Sequence, residues 1–449
     1  MLSTLWPFRQ QKKLKKTTPS LGGLGTSVEK SYTPIDQLRL GMYIVELDRP
    51  WLDSPFMFQG FEVRTQAQLQ AVKNLCAYVY IDATKTRTLS QTNKLGGNAA
   101  NTSLSKVIDF KNTVPPQKLG SFEREIVKAE KAHAHTTSLI NDCMKQAAQG
   151  KQIDGWLAKK AITDCVNSVL QSPDALLWLI RLKEKDEHTT RHSLNVAVLS
   201  IILGRHLNLP ETALVNLGMC GMLHDIGKMR IPYKLISKEG KLEGDELKLM
   251  QSHTILGYEL LKSSDNIDSC VLETALTHHE RLDGNGYPRQ LKQASISDFT
   301  KIVTIASTYD SIINGRPNQA SKTHLEATHQ MTKLVGSKLD RDLLIKFIES
   351  MGVYPPGCIV QMTSGALAII VEANERMKLR PKVVVLRNEE GQAMPEEIVD
   401  LAKMATDKKG NVYTIKNVVD PQHHHINPKQ YYSPKFIDKG FSFRKMAKS

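Results

Sequence analysis

The chain has 449 residues, 41% hydrophobic and 24% charged, and its 60 Lys and Arg against 46 Asp and Glu give a net charge of +14. That length is too great for one compact domain and suggests two to four, while the composition is that of an ordinary soluble globular protein. The charge does not mark a nucleic-acid-binding body. Residues 1–18 carry Arg9, Lys12, Lys13, Lys15 and Lys16 with no acid, residues 426–449 carry six basic groups against Asp438, and the sequence between is close to neutral. Such ends could touch an anionic membrane surface or nucleic acid, but they read first as solvated tails. The six cysteines are scattered without a Cys-x-x-Cys pair, which predicts free thiols in a reducing cytoplasm. The apolar start, Met1 to Phe8, precedes its positive charges and is too short for a secretory signal. No run is long and apolar enough to span a bilayer.

In chain order, a basic tail occupies 1–31. A small α+β region over 32–88 follows, with strand-like runs at Tyr43–Leu47 and Tyr78–Ile81 and a helical pattern from Thr65 to Leu75. Residues 89–120 turn to Ser, Thr, Asn, Gly and Pro and read as a linker. A long helix predicted over Glu123 to Gln152 opens a helical region, 121–351. Beyond it, 352–420 is a β-rich appendage with runs at Cys358–Met362, Ala366–Val371 and Val383–Leu386, and 421–449 is a second basic tail. His423-His424-His425 in this last part reads as a solvated loop. The fold class is mainly α, flanked by a small α+β part and a small β-rich part.

The helical region carries the chemistry. His192, His224-Asp225, His253 and His278-His279 fall on successive helical segments that are otherwise apolar. Glu211 to Leu223 is one such segment, started by Pro210 and stopped near Gly227, and His253 shares a stripe with Leu247, Met250, Gly257 and Leu260. Unpaired imidazoles and a carboxylate are costly in such surroundings, and shared binding of divalent transition ions satisfies them together. Asp225 can bridge two ions, and a hydroxide between them is a strong nucleophile toward a phosphate ester. Lys228 could reach a phosphate oxygen and offset charge in the transition state. In the turn Asp283-Gly284-Asn285-Gly286-Tyr287-Pro288, the glycines permit close backbone approach to a ligand and Tyr287 offers a face for a base.

These residues, His192, His224-Asp225-Ile226-Gly227-Lys228, His253, His278-His279-Glu280 and Gly286-Tyr287-Pro288, resemble the HD-GYP domain, a branch of the HD metal-dependent phosphohydrolases of bacteria. The resemblance spans about Leu176 to Ile348. It implies an HD-type all-helical catalytic domain with two or three metal ions, iron or manganese, that hydrolyses cyclic di-GMP to the linear dinucleotide pGpG or to GMP. His192, His224, Asp225, His253, His278 and His279 would be metal ligands, Asp225 and Lys228 the catalytic groups, and Lys228, Gly286, Tyr287 and Arg316 the substrate contacts. The opening Pro34 to Met42 resembles a small domain often attached to HD-GYP proteins.

Two departures matter. Where the family reads Ala-Asp-x-Tyr-Asp, this chain reads Ala306-Ser307-Thr308-Tyr309-Asp310, so a serine stands at a ligand position and Asp310, a turn on, is the candidate to lean in. Pro317-Asn318-Gln319 lacks the basic residue common after the Arg-Pro pair. His188 stands where three-metal members carry a glutamate, and shares a helix face with His192 as an i, i+4 pair. The leading expectation is a cytoplasmic cyclic di-GMP phosphodiesterase. The alternative is a degenerate domain that senses cyclic di-GMP, or binds a diguanylate cyclase domain, without turnover.

Overall fold

The computed structural model describes residues 30–48, 61–63, 66–82, 120, 122–182, 188–315, 321–374, 376–394, 398–403, 414–419, 424 and 426. Residues 1–29, Arg316 to Gln319, and all of 421–449 except His424 and Ile426 therefore lie outside the described residues, and the expected tail 1–31 ends earlier, because Lys30 and Ser31 belong to a strand. The chain divides into two compact units, Met1–Ala100 and Asn101–Ser449.

In the first unit, β1 (Lys30–Pro34), β2 (Tyr43–Leu47), β3 (Phe61–Glu62) and β4 (Tyr78–Asp82) form an antiparallel sheet in the order β1-β4-β2-β3, with α1 (Gln66–Leu75) between β3 and β4 in the chain. The period-2 alternation of β4 buries Val79, while Tyr78 and Tyr80 meet Tyr32 on the other face, ring centroids 5.0 and 6.0 Å apart. Leu69, Val72 and Cys76, spaced three and four apart, bury one face of α1 and the residue after it with Ile44, Val63 and Val79.

The second unit is helical first. It contains α2 (Phe122–Ala148), α3 (Gly155–Gln171), α4 (Pro173–Leu182), α5 (His188–His206), α6 (Glu211–Leu223), α7 (Tyr233–Ile236), α8 (Gly244–Gln251), α9 (His253–Lys262), α10 (Ser269–Thr277), α11 (Asp298–Asn314), α12 (His324–Thr332) and α13 (Arg341–Met351). The sequence α5 to α6 is so apolar that it packs on almost every side: from Leu194 to Leu203 every residue is buried, as is every residue from Met219 to Leu223. These two helices are the frame on which the site is hung. Among the described residues, no helix is long and apolar enough to cross a membrane.

A five-stranded antiparallel sheet follows, β5 (Ile359–Met362), β6 (Leu367–Glu372), β7 (Lys382–Arg387), β8 (Ile398–Asp400) and β9 (Ile415–Val418), ordered β8-β7-β6-β5-β9. It is tied to α4: Ala373 N–H donates to Asp174 at 3.1 Å, and Arg181 donates to the Cys358 thiol at 3.1 Å. That contact explains why β6 is buried on both faces instead of alternating. Arg387 donates to the carbonyl of His424, which accounts for one residue of the histidine triplet through its backbone alone.

A chain of hydrogen bonds runs through the seam. Arg181 donates to the Tyr309 hydroxyl, which donates to Nδ1 of His324 at 2.7 Å, and His324 Nε2–H donates to the Gly352 carbonyl at 3.2 Å. Burial, with the Arg181 charge adding to it, holds the His324 imidazole down to about 3. The unfolded imidazole titrates near 6.5, so between those two values the unfolded chain binds a proton that the folded one does not, and stability falls as pH falls. His324→Gln should remove that share of the pH dependence, about 2 kcal/mol between pH 6.5 and 5, in urea titrations. Equal pH slopes for the two proteins would contradict it.

Candidate metal centre

Three helix ends and one face of a fourth helix meet at one point. His192 lies on the first half of α5, His224 and Asp225 follow the last residue of α6, His253 opens α9, and His278 and His279 follow the end of α10. Two groups form there, His192 with His224 and Asp225, and Asp225 with His253, His278 and His279, the ligand atoms within each group all lying within 4.8 Å of one another. Asp225 is common to both and divides its oxygens between them. Oδ2 lies 3.4 Å from His224 Nε2 and 3.8 Å from His192 Nε2, while Oδ1 lies 3.3 Å from Nε2 of both His253 and His278.

The ring orientations are fixed from behind. His224 Nδ1–H donates to the Gly221 carbonyl at 2.8 Å, His253 Nδ1–H to Met250 at 2.6 Å and His278 Nδ1–H to Ala275 at 3.0 Å, each using a carbonyl three residues back at a helix end. His192 Nδ1–H donates to Asp310 at 2.7 Å. With Nδ1 turned to these acceptors, Nε2 turns inward in each ring, the arrangement that a metal-binding histidine requires, and at His192 it also meets Ser307 Oγ at 3.3 Å. Nε2 of His253 and Nε2 of His278 then face each other at 3.3 Å. Nε2 of His224 and Oδ1 of Asp225 are buried without a hydrogen-bond partner. Beyond Lys228 and Ser307 these converging acceptors have few donors, and divalent cations fit them.

Electrostatics point the same way. Burial pushes the imidazoles of His224, His278 and His279 below their ordinary value, well below for His224 and His279, which keeps them neutral. Burial would raise Asp225, but the Lys228 ammonium beside it outweighs burial and holds the carboxyl well below the usual range. Neutral imidazoles and an ionised carboxylate are the protonation states that ligate metal.

Several expectations need correction. His253 does not share a stripe with Leu247: the helix breaks at Ser252 into α8 and α9, Leu247 is 40% exposed, and only Gly257 and Leu260 remain buried with the histidine. The break is what aims His253, because a helix N-terminus can point a side chain inward where a stripe would be spent on packing. His279 is only partly buried. Asp310 stands behind His192 instead of leaning into the cluster; its Oδ2 takes the His192 proton, and its Oδ1 accepts from Asn195 and Asn314, both at 2.7 Å. Ser307 does reach the cluster, with Oγ 3.3 Å from His192 Nε2.

The Lys228 ammonium donates to Asp225 Oδ2 at 2.6 Å. Tyr287 is stacked on His279, ring centroids 4.7 Å apart at 23°, so one of its faces is covered by protein. Gly286 serves the protein's own backbone: a Cβ there would lie 2.4 Å from Arg281 N and 2.5 Å from Glu280 Cα. His188 opens α5, but its side chain, like Arg316, lies outside the described residues.

Sequence reasoning assigned no role to Glu280, Asn195 or Asn314. Glu280, 2% exposed, accepts from the backbone N–H groups of Arg289 at 2.6 Å and Leu291 at 2.9 Å and so fastens the turn that carries Tyr287. A buried acid following a histidine pair was the available signal, since such a charge needs donors.

A helical domain that draws an adjacent His-Asp pair and further histidines from separate helices into one cluster defines the HD-domain class of metal-dependent proteins. An HD domain model matches residues 179–343, a domain of unknown function (DUF3391) residues 32–155, and a KOW domain associated with HD domains residues 359–424. Over 374 residues the chain is 33% identical to the cyclic di-GMP phosphodiesterase PA4108 of Pseudomonas aeruginosa, a match spanning 82% of this chain and 88% of that protein. It is 34% identical over 166 residues to a cyclic di-GMP phosphodiesterase of Thermotoga maritima, 37% of this chain and 45% of that one. Among solved structures, Bd1817, a HDG"Y"P protein from Bdellovibrio bacteriovorus, is 17% identical with a TM-score of 0.42, covering 71% of this chain and 98% of that chain. The chain belongs to the HD-GYP family.

Proposed function

We propose that the protein is a phosphodiesterase that hydrolyses cyclic di-GMP at this centre, in the cytoplasm, with two divalent transition ions, iron or manganese. The observation that carries the reading is the division of Asp225, one oxygen toward His192 and His224 and the other toward His253 and His278. Imidazole and carboxylate donors in this ratio suit first-row transition ions over magnesium or calcium. When bound, the ions act as Lewis acids on the phosphodiester and ease ionisation of the attacking water.

The chain's own groups do the rest. His192, His224, His253 and His278 would hold the ions through Nε2, with the carbonyls and Asp310 behind them preventing the rings from turning, and His279 would complete the second group. Lys228 orients Asp225 through its short hydrogen bond and keeps further N–H groups for a phosphate oxygen, where charge grows as water attacks phosphorus and the P–O ester bond breaks. Arg316 is proposed as a second phosphate contact, and Gly286 and Tyr287 as the turn that borders the dinucleotide. Cleavage of one ester bond gives pGpG, and cleavage of the second gives GMP.

The test is direct. Metal-loaded protein should convert cyclic di-GMP to these products in a chromatographic assay, lose the activity on chelation and regain it with iron or manganese. Product formation at an undiminished rate after complete metal removal would reject the reading. Ser307 supplies a separate expectation: because its Oγ already lies 3.3 Å from His192 Nε2, Ser307→Asp should add a carboxylate to the first ligand group and raise metal occupancy and rate by about tenfold. An unchanged occupancy would show that the serine does not limit the site.

A further inference from the structure

The buried run Leu194–Leu203 on α5 carries two polar side chains, Asn195 and Ser200. Asn195 is 3% exposed, and only half of its amide is matched. Its Nδ2–H donates to Asp310 Oδ1 at 2.7 Å, while its own Oδ1 is buried without a hydrogen-bond partner. An unmatched buried carbonyl oxygen costs stability, and a leucine of similar shape would fill the position without that cost. What the asparagine offers in return is its N–H. Asn314, the last residue of α11, donates to the same Asp310 Oδ1 at 2.7 Å and to the Asp310 carbonyl at 3.2 Å. The two amides come from different helices, Asn195 one turn beyond His192 on α5 and Asn314 one turn beyond Asp310 on α11. The other carboxylate oxygen, Oδ2, lies 2.7 Å from His192 Nδ1.

The torsion that turns an aspartate carboxylate about its Cβ–Cγ bond is soft, so a carboxylate bound at one oxygen alone can swing, and one bound at both cannot. Among the described residues no lysine or arginine forms an ion pair with Asp310, and the Arg181 charge acts on it without a hydrogen bond, so neither sets its plane. That task falls to the amides. We propose that Asn195, together with Asn314, is a positioning residue of the metal centre. The two amides fix the Asp310 carboxylate, Asp310 fixes the His192 ring, and His192 Nε2 is thereby aimed at the ion of the first group, His192, His224 and Asp225. This role rests on the two-ion reading above and concerns one ion only. The rings of His253 and His278 are braced by the carbonyls of Met250 and Ala275 instead, so the second ion should not feel a change at Asn195.

The experiment is a chelator titration of the full-length, manganese-loaded protein, with retained ions counted by elemental analysis. Asn195→Leu should weaken one of the two ions about tenfold or more and leave the other within about twofold of wild type. Urea unfolding of the same variant after its metal is chelated should be unchanged or shifted to higher urea, because leucine removes the unmatched oxygen. Asn314→Ala, at a half-buried position on the helix end, should weaken the same single ion without disturbing the core. In an Asp310→Ala background, Asn195→Leu should add no further loss, since the residue through which it acts is gone. Wild type that retains two ions beside an Asn195→Leu variant that retains both as tightly would overturn the proposal and leave the metal centre standing. Equal loss of both ions with a lower urea midpoint would also overturn it, as a packing defect, and so would additive losses in the Asp310→Ala background. Wild-type protein that holds fewer than two ions would remove the two-ion reading and the positioning role with it.

Discussion

Replacing Asp225 by alanine is expected to abolish turnover of cyclic di-GMP, a loss of about a thousandfold or more, because the one residue common to both ligand groups disappears. The change removes a fully buried carboxylate that lies within 3.8 Å of Nε2 of four histidines and 2.6 Å from the Lys228 ammonium. Without it, the inward Nε2 atoms lose the negative charge that offsets two cations, and Lys228 is freed from its fixed position. Neutral ligands alone bind divalent ions less tightly. Steady-state assays at saturating metal check the outcome. Activity within tenfold of wild type would mean that Asp225 is a structural partner of Lys228 and that the reaction runs elsewhere.

The second large effect belongs to a residue with no chemistry of its own. Gly227 lies in the 3-10 turn Ile226–Arg230 between Asp225 and Lys228, and a Cβ there would sit 2.0 Å from the His253 carbonyl oxygen and 2.5 Å from Gly257 N. Both obstacles are backbone, so neither can swing aside as a side chain would. Gly227→Ala is expected to force the turn away from α9, which separates Asp225 from His253 and costs about 3 kcal/mol of stability. Urea unfolding and metal content should fall together. Gly257→Ala is the control: its Cβ would meet Gly227 N at 3.2 Å, a contact that a small shift relieves, so its effect should be smaller. Equal, small effects for both would show that the turn and α9 do not need this close approach.

Much of the architecture was legible because the local patterns are strong. Pro210 followed by an unbroken apolar run placed α6 at Glu211–Leu223, and the β-branched and aromatic run at Tyr43–Leu47 placed β2. The metal-site candidates were legible because buried histidines on apolar helices have few alternatives. What sequence could not supply was direction. Asp310 and Ser307 sit on the same helix within one turn, yet the serine reaches Nε2 of His192 and the aspartate reaches Nδ1, a difference set by the rotation of α11 against α5. Gly227 read as a helix stop and Gly286 as room for a ligand, but both are small because two stretches of backbone cross there. Strands β8 and β9 went unread because they are short and lack alternation, and the partner of β9, β5, is distant in sequence.

Two cations are expected where His192, His224, Asp225, His253, His278 and His279 converge. Elemental analysis of anaerobically purified, active protein measures this most directly. About two iron or manganese ions per chain are expected, falling to less than one in Asp225→Ala, because each ligand group in turn depends on that carboxylate. Fully active protein that contains no transition metal would contradict the account.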